Sequence, residues 1–164
     1  MAHAGVCAFD IDSTVTAPGC GDRECTERAA RHALSAIEMC RRHNMRVAIN
    51  TARPQPSFQS VHPDVAHAFR SAPFCYRDPD NPNAPASKVE CMRHLAAGSP
   101  ADRAVLLDDR PENCDAVKAH GNACILVENP SVGISHRDLI ALESTLADMD
   151  TARQLDCSRP CVRS

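Results

Sequence analysis

Aromatic residues and lysines are scarce in this chain of 164 residues. It has no tryptophan, one tyrosine and four phenylalanines, so small aliphatic side chains must fill most of the core. Lysine occurs only at Lys88 and Lys118, the formal net charge is −3, and no basic run extends beyond residues 41–43. A nucleic-acid-binding protein normally carries a basic stripe. Nucleic acid is therefore disfavoured as a partner, except as a substrate.

Long apolar runs are also missing. The first residues lack the basic segment and apolar stretch of a secretory signal peptide. No apolar run approaches the roughly 20 residues that span a bilayer. These absences predict a cytoplasmic protein with no membrane association, and we expect it to be a monomer or a homodimer.

Cysteine, in contrast, is abundant, with ten residues. Cys20 with Cys25 and Cys157 with Cys161 are the only close pairs, and neither has the Cys-x-x-Cys spacing of a zinc or redox motif. Buried free cysteine behaves as a small hydrophobic residue. We therefore expect reduced structural thiols, with a metal site or a disulfide in the tail as the alternative. Six cysteines stand singly in apolar patterns, namely Cys7, Cys40, Cys75, Cys91, Cys114 and Cys124.

Apolar runs alternate with helical patterns along the chain. The runs are nearly continuous, as in strands buried on both faces of a parallel sheet, and the order strand–helix–strand predicts a doubly wound α/β domain of three layers. A Ser87 cap with Glu90 three residues later indicates one helix start. The predicted strands cover 5–9, 46–49, 104–107 and 123–127, with a possible short strand at 74–76, and the predicted helices cover 24–43, 87–97, 111–120 and 135–149.

The pattern predicts one domain over residues 1–150 and a C-terminal tail over 151–164, without a second domain. The proline-rich segment 53–86 contains a helix-like piece at 64–70. This segment is too short for a folded lid domain, although His62, His67 or Arg77 could form a lip over a site.

The clearest chemical signal is the pair Asp10 and Asp12, which directly follows the first apolar run and precedes Ser13 and Thr14. The carboxyl ends of strands in open α/β sheets are where ligands bind. Neighbouring carboxylates repel each other unless a cation lies between them. They also offer one aspartate as a nucleophile and another as a proton donor and acceptor.

Three further polar signals follow strands or begin helices. Thr51, Ala52 and Arg53 come after the second strand, Lys88 begins a helix, and Asp108 with Asp109 ends the third strong strand. Because parallel strands end at one edge of the sheet, these groups could share a single site. Taken singly, the residues have commoner roles, since Thr51 and Ser13 can turn or cap the chain and the acidic pair can complement a helix dipole.

Together, the motifs Asp10-x-Asp12-x-Thr14, Thr51, Lys88 and Asp108-Asp109 resemble, in order, those of the haloacid dehalogenase-like (HAD) phosphohydrolases. The resemblance covers roughly the first three-quarters of the chain. It implies a HAD-like Rossmannoid fold, and the short intervening segments imply a capless member, a type that commonly acts on large substrates. The presence of Asp12 points to phosphatase or phosphotransferase chemistry, because the dehalogenase branch lacks this aspartate.

The resemblance implies a role for each motif residue. Asp10 would be the nucleophile that forms an aspartyl-phosphate, and Asp12 the general acid and base. Mg²⁺ would bind Asp10, the backbone carbonyl of Asp12 and Asp109, with Asp108 as a further candidate ligand. Thr51 and Lys88 would contact the transferring phosphoryl group as catalytic and substrate-binding residues. Further substrate contacts are expected from Ser13, Thr14, Ala52 and Arg53.

The resulting expectation is a Mg²⁺-dependent phosphatase that hydrolyses a phosphomonoester of a small molecule or of a macromolecule's end. Two alternatives remain open. One is a phosphotransferase of the same fold, which the lack of a cap to exclude water disfavours. The other is a non-catalytic protein that binds a phosphorylated ligand, which the complete set of motif residues disfavours.

Overall fold

The core of the protein is a parallel sheet of five strands in the order β3-β2-β1-β4-β5. The computed structural model describes residues 2–100 and 103–158. Successive strands are added outward from β1 through β2 to β3, and then on the other side of β1 from β4 to β5. The strand order therefore switches between β1 and β4, and such a switch point is where open α/β sheets bind ligands. The strands are β1 (Gly5–Phe9), β2 (Met45–Asn50), β3 (Phe74–Cys75), β4 (Ala104–Asp108) and β5 (Ala123–Leu126).

Helices cover both faces of the sheet, which confirms the predicted three-layer α/β fold. The first, second and fifth helices bury their apolar side chains in one core cluster, and the third and fourth helices bury theirs in a second cluster on the opposite face. The helices are α1 (Arg23–Arg42), α2 (Pro63–Phe69), α3 (Lys88–Leu95), α4 (Pro111–Ala119) and α5 (His136–Ser158).

The central strand β1 explains why the apolar runs are continuous rather than alternating. It pairs with β2 on one side and with β4 on the other, and all five of its residues are buried. Val6 and Ala8 belong to one core cluster, whereas Cys7 and Phe9 belong to the other. Because both faces are covered, both sets of alternating side chains must be apolar.

Local capping fixes where α3 begins. The Ser87 hydroxyl oxygen accepts a hydrogen bond from the Glu90 backbone N–H at 3.2 Å, and the Glu90 carboxylate accepts one from the Ala86 N–H at 2.6 Å. The predicted Ser87 cap is therefore confirmed. Lys88 follows the cap directly and becomes the first residue of the helix.

The last helix is longer than the sequence pattern predicts. It continues to Ser158 instead of ending at 149, although residues 151–157 are exposed and bury no apolar face. No helix in the described part of the chain is long and apolar enough to cross a membrane. Cys157 is exposed, and the tail pair stays untested because Cys161 lies outside the described residues.

The expectation of reduced structural thiols is wrong for eight cysteines, which form four disulfides. Disulfide pairing depends on which cysteine side chains the fold brings together. A single cysteine within an apolar run does not reveal its partner. Each bond joins segments that are near in sequence, at separations from 5 to 33 residues. The pairs are Cys7–Cys40, Cys20–Cys25, Cys75–Cys91 and Cys114–Cys124.

Candidate active site

The polar residues that follow β1, β2 and β4 meet at the carboxyl edge of the sheet. Asp10 comes directly after β1 and donates its backbone N–H to the Leu107 carbonyl of β4 at 2.9 Å. Thr51 follows β2 and donates its backbone N–H to the Cys75 carbonyl at 3.0 Å. Asp108 is the last residue of β4. The backbone hydrogen bonds of the sheet thus extend into the site and fix where each side chain starts.

Lys88 lies at the centre of this group. Its ammonium donates to Asp10 Oδ1 at 2.6 Å and to the Asn50 carbonyl at 2.5 Å, and lies 3.1 Å from Asp108 Oδ2. Three acceptors match the three protons of an ammonium group. Only 4% of the Lys88 side chain is exposed, so the cation is held by partners rather than by water. The structure therefore joins the first, third and fourth sequence motifs through one buried charge.

Asn50 holds Lys88 from a second direction, a role that the sequence reasoning missed. Its side-chain Nδ2 donates to the Lys88 backbone carbonyl at 3.0 Å, while the backbone carbonyl of Asn50 accepts from the Lys88 ammonium. Asn50 is fully buried. The available signal was a polar residue in the last position of an apolar strand, directly before Thr51.

Three carboxylates converge beside Lys88. Oxygen atoms of Asp10, Asp108 and Asp109 all lie within 4.8 Å of one another. Burial raises the pKa of Asp10 from 3.8 to about 7, with Asp108 and Asp109 adding to the rise and Lys88 opposing it. Three carboxylates lie beside a single ammonium group, so a second positive charge would be favourable at this point. Carboxylate oxygens are the ligands that Mg²⁺ prefers, so this donor set fits a divalent cation.

Asp108 is oriented by the start of α4. Its carboxylate accepts the Arg110 backbone N–H at 2.9 Å and two contacts from the Asn113 amide, at 3.0 and 3.2 Å. Asn113 is a second residue that sequence reasoning did not single out. Its position in the first turn of α4, close after the acidic pair, was the only available signal.

An irregular turn over Ile11–Val15 carries Asp12 away from this buried group. Ser13 adopts a left-handed backbone conformation (φ 60°), which is unusual for a residue with a side chain. The turn is braced from behind, since the Thr14 carbonyl accepts the Ile134 N–H at 3.0 Å. At Gly133 an added Cβ would come within 2.7 Å of the carbonyl oxygens of Thr14 and Thr16. A residue larger than glycine would therefore push the turn out of place.

Arg53 pairs with the exposed Asp12. The guanidinium donates from Nε at 3.1 Å and from Nη2 at 2.8 Å to the two carboxylate oxygens, and from Nη1 to the Ser57 carbonyl at 2.9 Å. The Arg53 hydrogen bond holds the pKa of Asp12 below its ordinary value. The side chain of Asp12 is 64% exposed, against 9% for Asp10. The two aspartates of the first motif therefore lie in opposite environments.

The other predicted substrate contacts are distributed unevenly. Thr51 is buried beside Asn50, and its hydroxyl oxygen accepts the Arg53 backbone N–H at 3.2 Å. Ala52 is exposed and Ser13 is half-buried at the mouth of the site. Thr14 is buried, and its hydroxyl has no hydrogen-bond partner within the described residues.

Comparison with known proteins supports the fold. No protein-family model matches the chain, and no curated protein matches it in sequence. One similar solved structure, of a protein from Mesorhizobium loti provisionally assigned as a HAD-like phosphatase, has a TM-score of 0.56 at 18% identity, covering 91% of this chain and 88% of that chain. The fold of this chain is similar to the fold of that protein. An uncharacterized protein from Corynebacterium glutamicum is also similar, with a TM-score of 0.59 at 9% identity, covering 88% of this chain and 96% of that one.

Proposed function

We propose that this HAD-like protein is a Mg²⁺-dependent phosphatase that hydrolyses a phosphomonoester through an aspartyl-phosphate on Asp10. The observation that carries the proposal is the buried Lys88, which joins Asp10 to Asp108 beside Asp109. A nucleophile, a buried cation and a carboxylate cluster then surround one point at the carboxyl edge of the sheet. The exposed Asp12 stands two residues from the nucleophile.

In the first step, a carboxylate oxygen of Asp10 attacks phosphorus, and the bond from phosphorus to the leaving oxygen breaks. Asp12, released from Arg53 when the substrate binds and protonated from solvent, gives its proton to that oxygen, so the product leaves as an alcohol. Lys88, with Thr51 beside it, stabilises the negative charge on the phosphoryl oxygens. Because Lys88 is already fixed by Asn50 and Asp108, little reorganisation is needed when this charge develops.

In the second step, water attacks the phosphorus of the aspartyl-phosphate. Asp12, now ionised, takes a proton from that water, and the bond to Asp10 breaks to release inorganic phosphate. The exposure of Asp12 supports this role, since both the leaving group and the incoming water can reach it. This step leaves Asp12 protonated and Asp10 ionised, the protonation states that the next attack on phosphorus requires.

Asp10, Asp108 and Asp109 would hold the Mg²⁺ ion, with the Asp12 carbonyl as a further expected ligand. When bound, the ion offsets the repulsion between the nucleophile and the phosphate. The open surroundings of Asp12 favour water over a second alcohol as acceptor, which supports phosphatase rather than phosphotransferase activity. The capless interpretation is supported by α2, whose Val65 and Phe69 pack into the core rather than over the site.

The proposal is tested by hydrolysis of p-nitrophenyl phosphate with and without Mg²⁺. We expect metal-dependent turnover in the wild type and a loss of about 1,000-fold or more in Asp10→Asn. The matched control is Asp115→Asn, which removes an exposed carboxylate from α4 and should retain full activity. Mg²⁺ should also raise the melting temperature of the wild type but not of Asp10→Asn. Turnover that survives in Asp10→Asn would contradict the proposed nucleophile, and metal binding without any turnover would favour the non-catalytic alternative.

A further inference from the structure

A cavity of about 430 Å³ opens beside Asp12. It lies between the irregular turn, the first half of α1 and the segment that contains Ser60 and His62. Asp12 and Arg53 line its mouth, so it begins where the proposed leaving oxygen meets its proton donor. The side of the cavity away from Asp12 therefore faces whatever is attached to that oxygen.

The inner walls of this leaving-group cavity are small and apolar. Val15, Ala29 and Ala30 line it, and all three are buried. Two consecutive alanines on α1 leave space that larger side chains would fill. Ala29 does not belong to either core cluster, so the space in front of it is not required for packing of the sheet.

The cavity carries little net charge. Asp12 and Arg53 are the charged residues in its lining, and they neutralise each other in a two-pronged ion pair. His62 is held in place, because its Nδ1 accepts the Asp64 N–H at 3.2 Å and its Nε2 lies 3.3 Å from Glu27 Oε2. A cationic ligand would therefore find no unpaired carboxylate in the lining.

A second cleft, of about 410 Å³, lies on the other side of the Asp12–Arg53 pair. Pro54, Gln55 and Gln59, which line it, are exposed loop residues. Such a surface suits an extended chain more than a small molecule. The buried apolar walls of the leaving-group cavity favour the opposite type of substrate.

We infer that the leaving-group cavity binds the alcohol portion of the substrate, and that this alcohol is compact, carries no positive charge and is apolar on one face. The inference rests on the proposed phosphatase function. A compact alcohol differs from the large substrates that a capless site suggests. The volume lies at the lower end of the range for small-molecule sites. A phosphoprotein or a nucleic-acid end would extend beyond the cavity instead.

The test compares two phosphoryl donors that differ in leaving group. Phenyl phosphate releases phenol, which is large enough to occupy the cavity, whereas acetyl phosphate releases the smaller acetate, which needs less of this space. Ala29→Leu should fill the cavity and lower kcat/KM for phenyl phosphate about tenfold or more, mainly through KM. The same variant should leave kcat/KM for acetyl phosphate within about twofold.

The matched control is Gln59→Leu, which alters only the second cleft and should change neither value. If Ala29→Leu does not fold, Thr26→Leu fills the cavity from an exposed position of α1 and gives the same comparison. Equal losses for both donors, or no loss for either, would overturn the inference while leaving the phosphatase intact. Efficient hydrolysis of a phosphoserine peptide that is impaired by Gln59→Leu and not by Ala29→Leu would also overturn it, in favour of a macromolecular substrate. Failure of the wild type on both small donors and on the phosphoserine peptide, with Mg²⁺ bound, would instead remove the proposed function itself.

Discussion

Asp10 and Asp12 belong to the same motif, but the protein treats the two carboxylates in opposite ways. Asp10 is buried against Lys88, inside a network that includes Asp108. Asp12 is exposed and paired with Arg53, whose loop lies at the surface. The pKa of Asp10 is raised and that of Asp12 is lowered. These directions are the reverse of what a nucleophile at Asp10 and a proton donor at Asp12 require, so the proposed reaction needs a bound cation to ionise Asp10 and the release of Asp12 from Arg53 before it can carry a proton.

The ion pairs of Asp10 and Asp12 also differ in how easily they can break during a reaction. A buried charge without its partner is strongly destabilising, so Lys88 must stay in place throughout any reaction. An exposed ion pair contributes little stability, so Arg53 can release Asp12 at small cost when a substrate arrives. The comparison therefore predicts that changes in the buried network affect folding and activity together, whereas changes in the exposed pair affect mainly activity.

The largest effect is expected from Lys88→Met. This change leaves Asp10 and Asp108 buried without their cation and should lower the free energy of unfolding by about 3–5 kcal/mol. Urea unfolding without Mg²⁺ measures the loss. Lys118→Met is the matched control, because the only other lysine is exposed on α4. Similar stability of the two variants would show that the buried network does not hold the fold.

A smaller effect is expected from Asn113→Ala, which removes the amide that orients Asp108. Loss of a partner to a buried carboxylate should cost about 1–3 kcal/mol. Affinity for Mg²⁺, measured by titration calorimetry, should fall about tenfold or more, as for other residues that orient metal ligands. The exposed Asn83→Ala serves as the control. Unchanged affinity in Asn113→Ala would remove Asp108 from the metal site.

The raised pKa of Asp10 predicts a pH dependence of the metal-free protein. A group whose pKa is higher when folded contributes stability at low pH and loses that contribution as the pH rises through the folded value. Stability should therefore fall between about pH 4 and pH 7, by at most about 1.4 kcal/mol per pH unit. The shift in melting temperature caused by Mg²⁺ should grow over the same range, since the ion binds the carboxylate.

Thermal unfolding from pH 4 to pH 8, with and without Mg²⁺, measures both trends. Asp10→Asn should abolish them, and Asp115→Asn should keep them. A Mg²⁺ shift that is already complete at pH 5 would contradict the raised pKa.

The smallest effect on stability is expected from Arg53→Gln. Because Asp12 is mostly exposed, solvent screens the ion pair, and its loss should cost about 0–1 kcal/mol at pH 7. The pKa of Asp12 is lowered in the folded protein, so the wild type should lose this small contribution as the pH falls through that value. Urea unfolding at several pH values should show the two proteins converging in acid. If Arg53→Gln lowered the free energy of unfolding as much as Lys88→Met does, the buried Asp10 network and the exposed Asp12 pair would not differ in their contribution to stability.

The sequence predicted the fold well where local signals are strong. The buried strand β1 appears as a continuous apolar run, and the Ser87 cap places Lys88 at the start of α3. The convergence of Asp10, Lys88 and Asp108 follows from parallel strands that end at one edge. These features depend on short-range patterns and on general properties of α/β sheets.

The features that the sequence did not predict depend on contacts between distant segments. Asn50 and Asn113 act through side chains whose partners are set by strand and helix placement. The pairing of Arg53 with Asp12 requires the left-handed turn at Ser13, which no residue type in that turn demands. The length of α5 was missed because its last residues are exposed and leave no apolar periodicity.

The disulfides fall into two separate groups along the chain, whereas the sheet combines strands from both parts of the chain. Two bonds lie within residues 7–40 and two within residues 75–124, and none in the described part of the chain connects these two groups. A cut between Pro54 and Ser60 would therefore yield two separately cross-linked pieces. One would carry Asp10 and Asp12, and the other would carry Lys88 and Asp108. The pairing of β1 with β4 and of β2 with β3, together with the packing of α1 against α2 and α5, would then keep Asp10 and Lys88 together in two halves of a split protein.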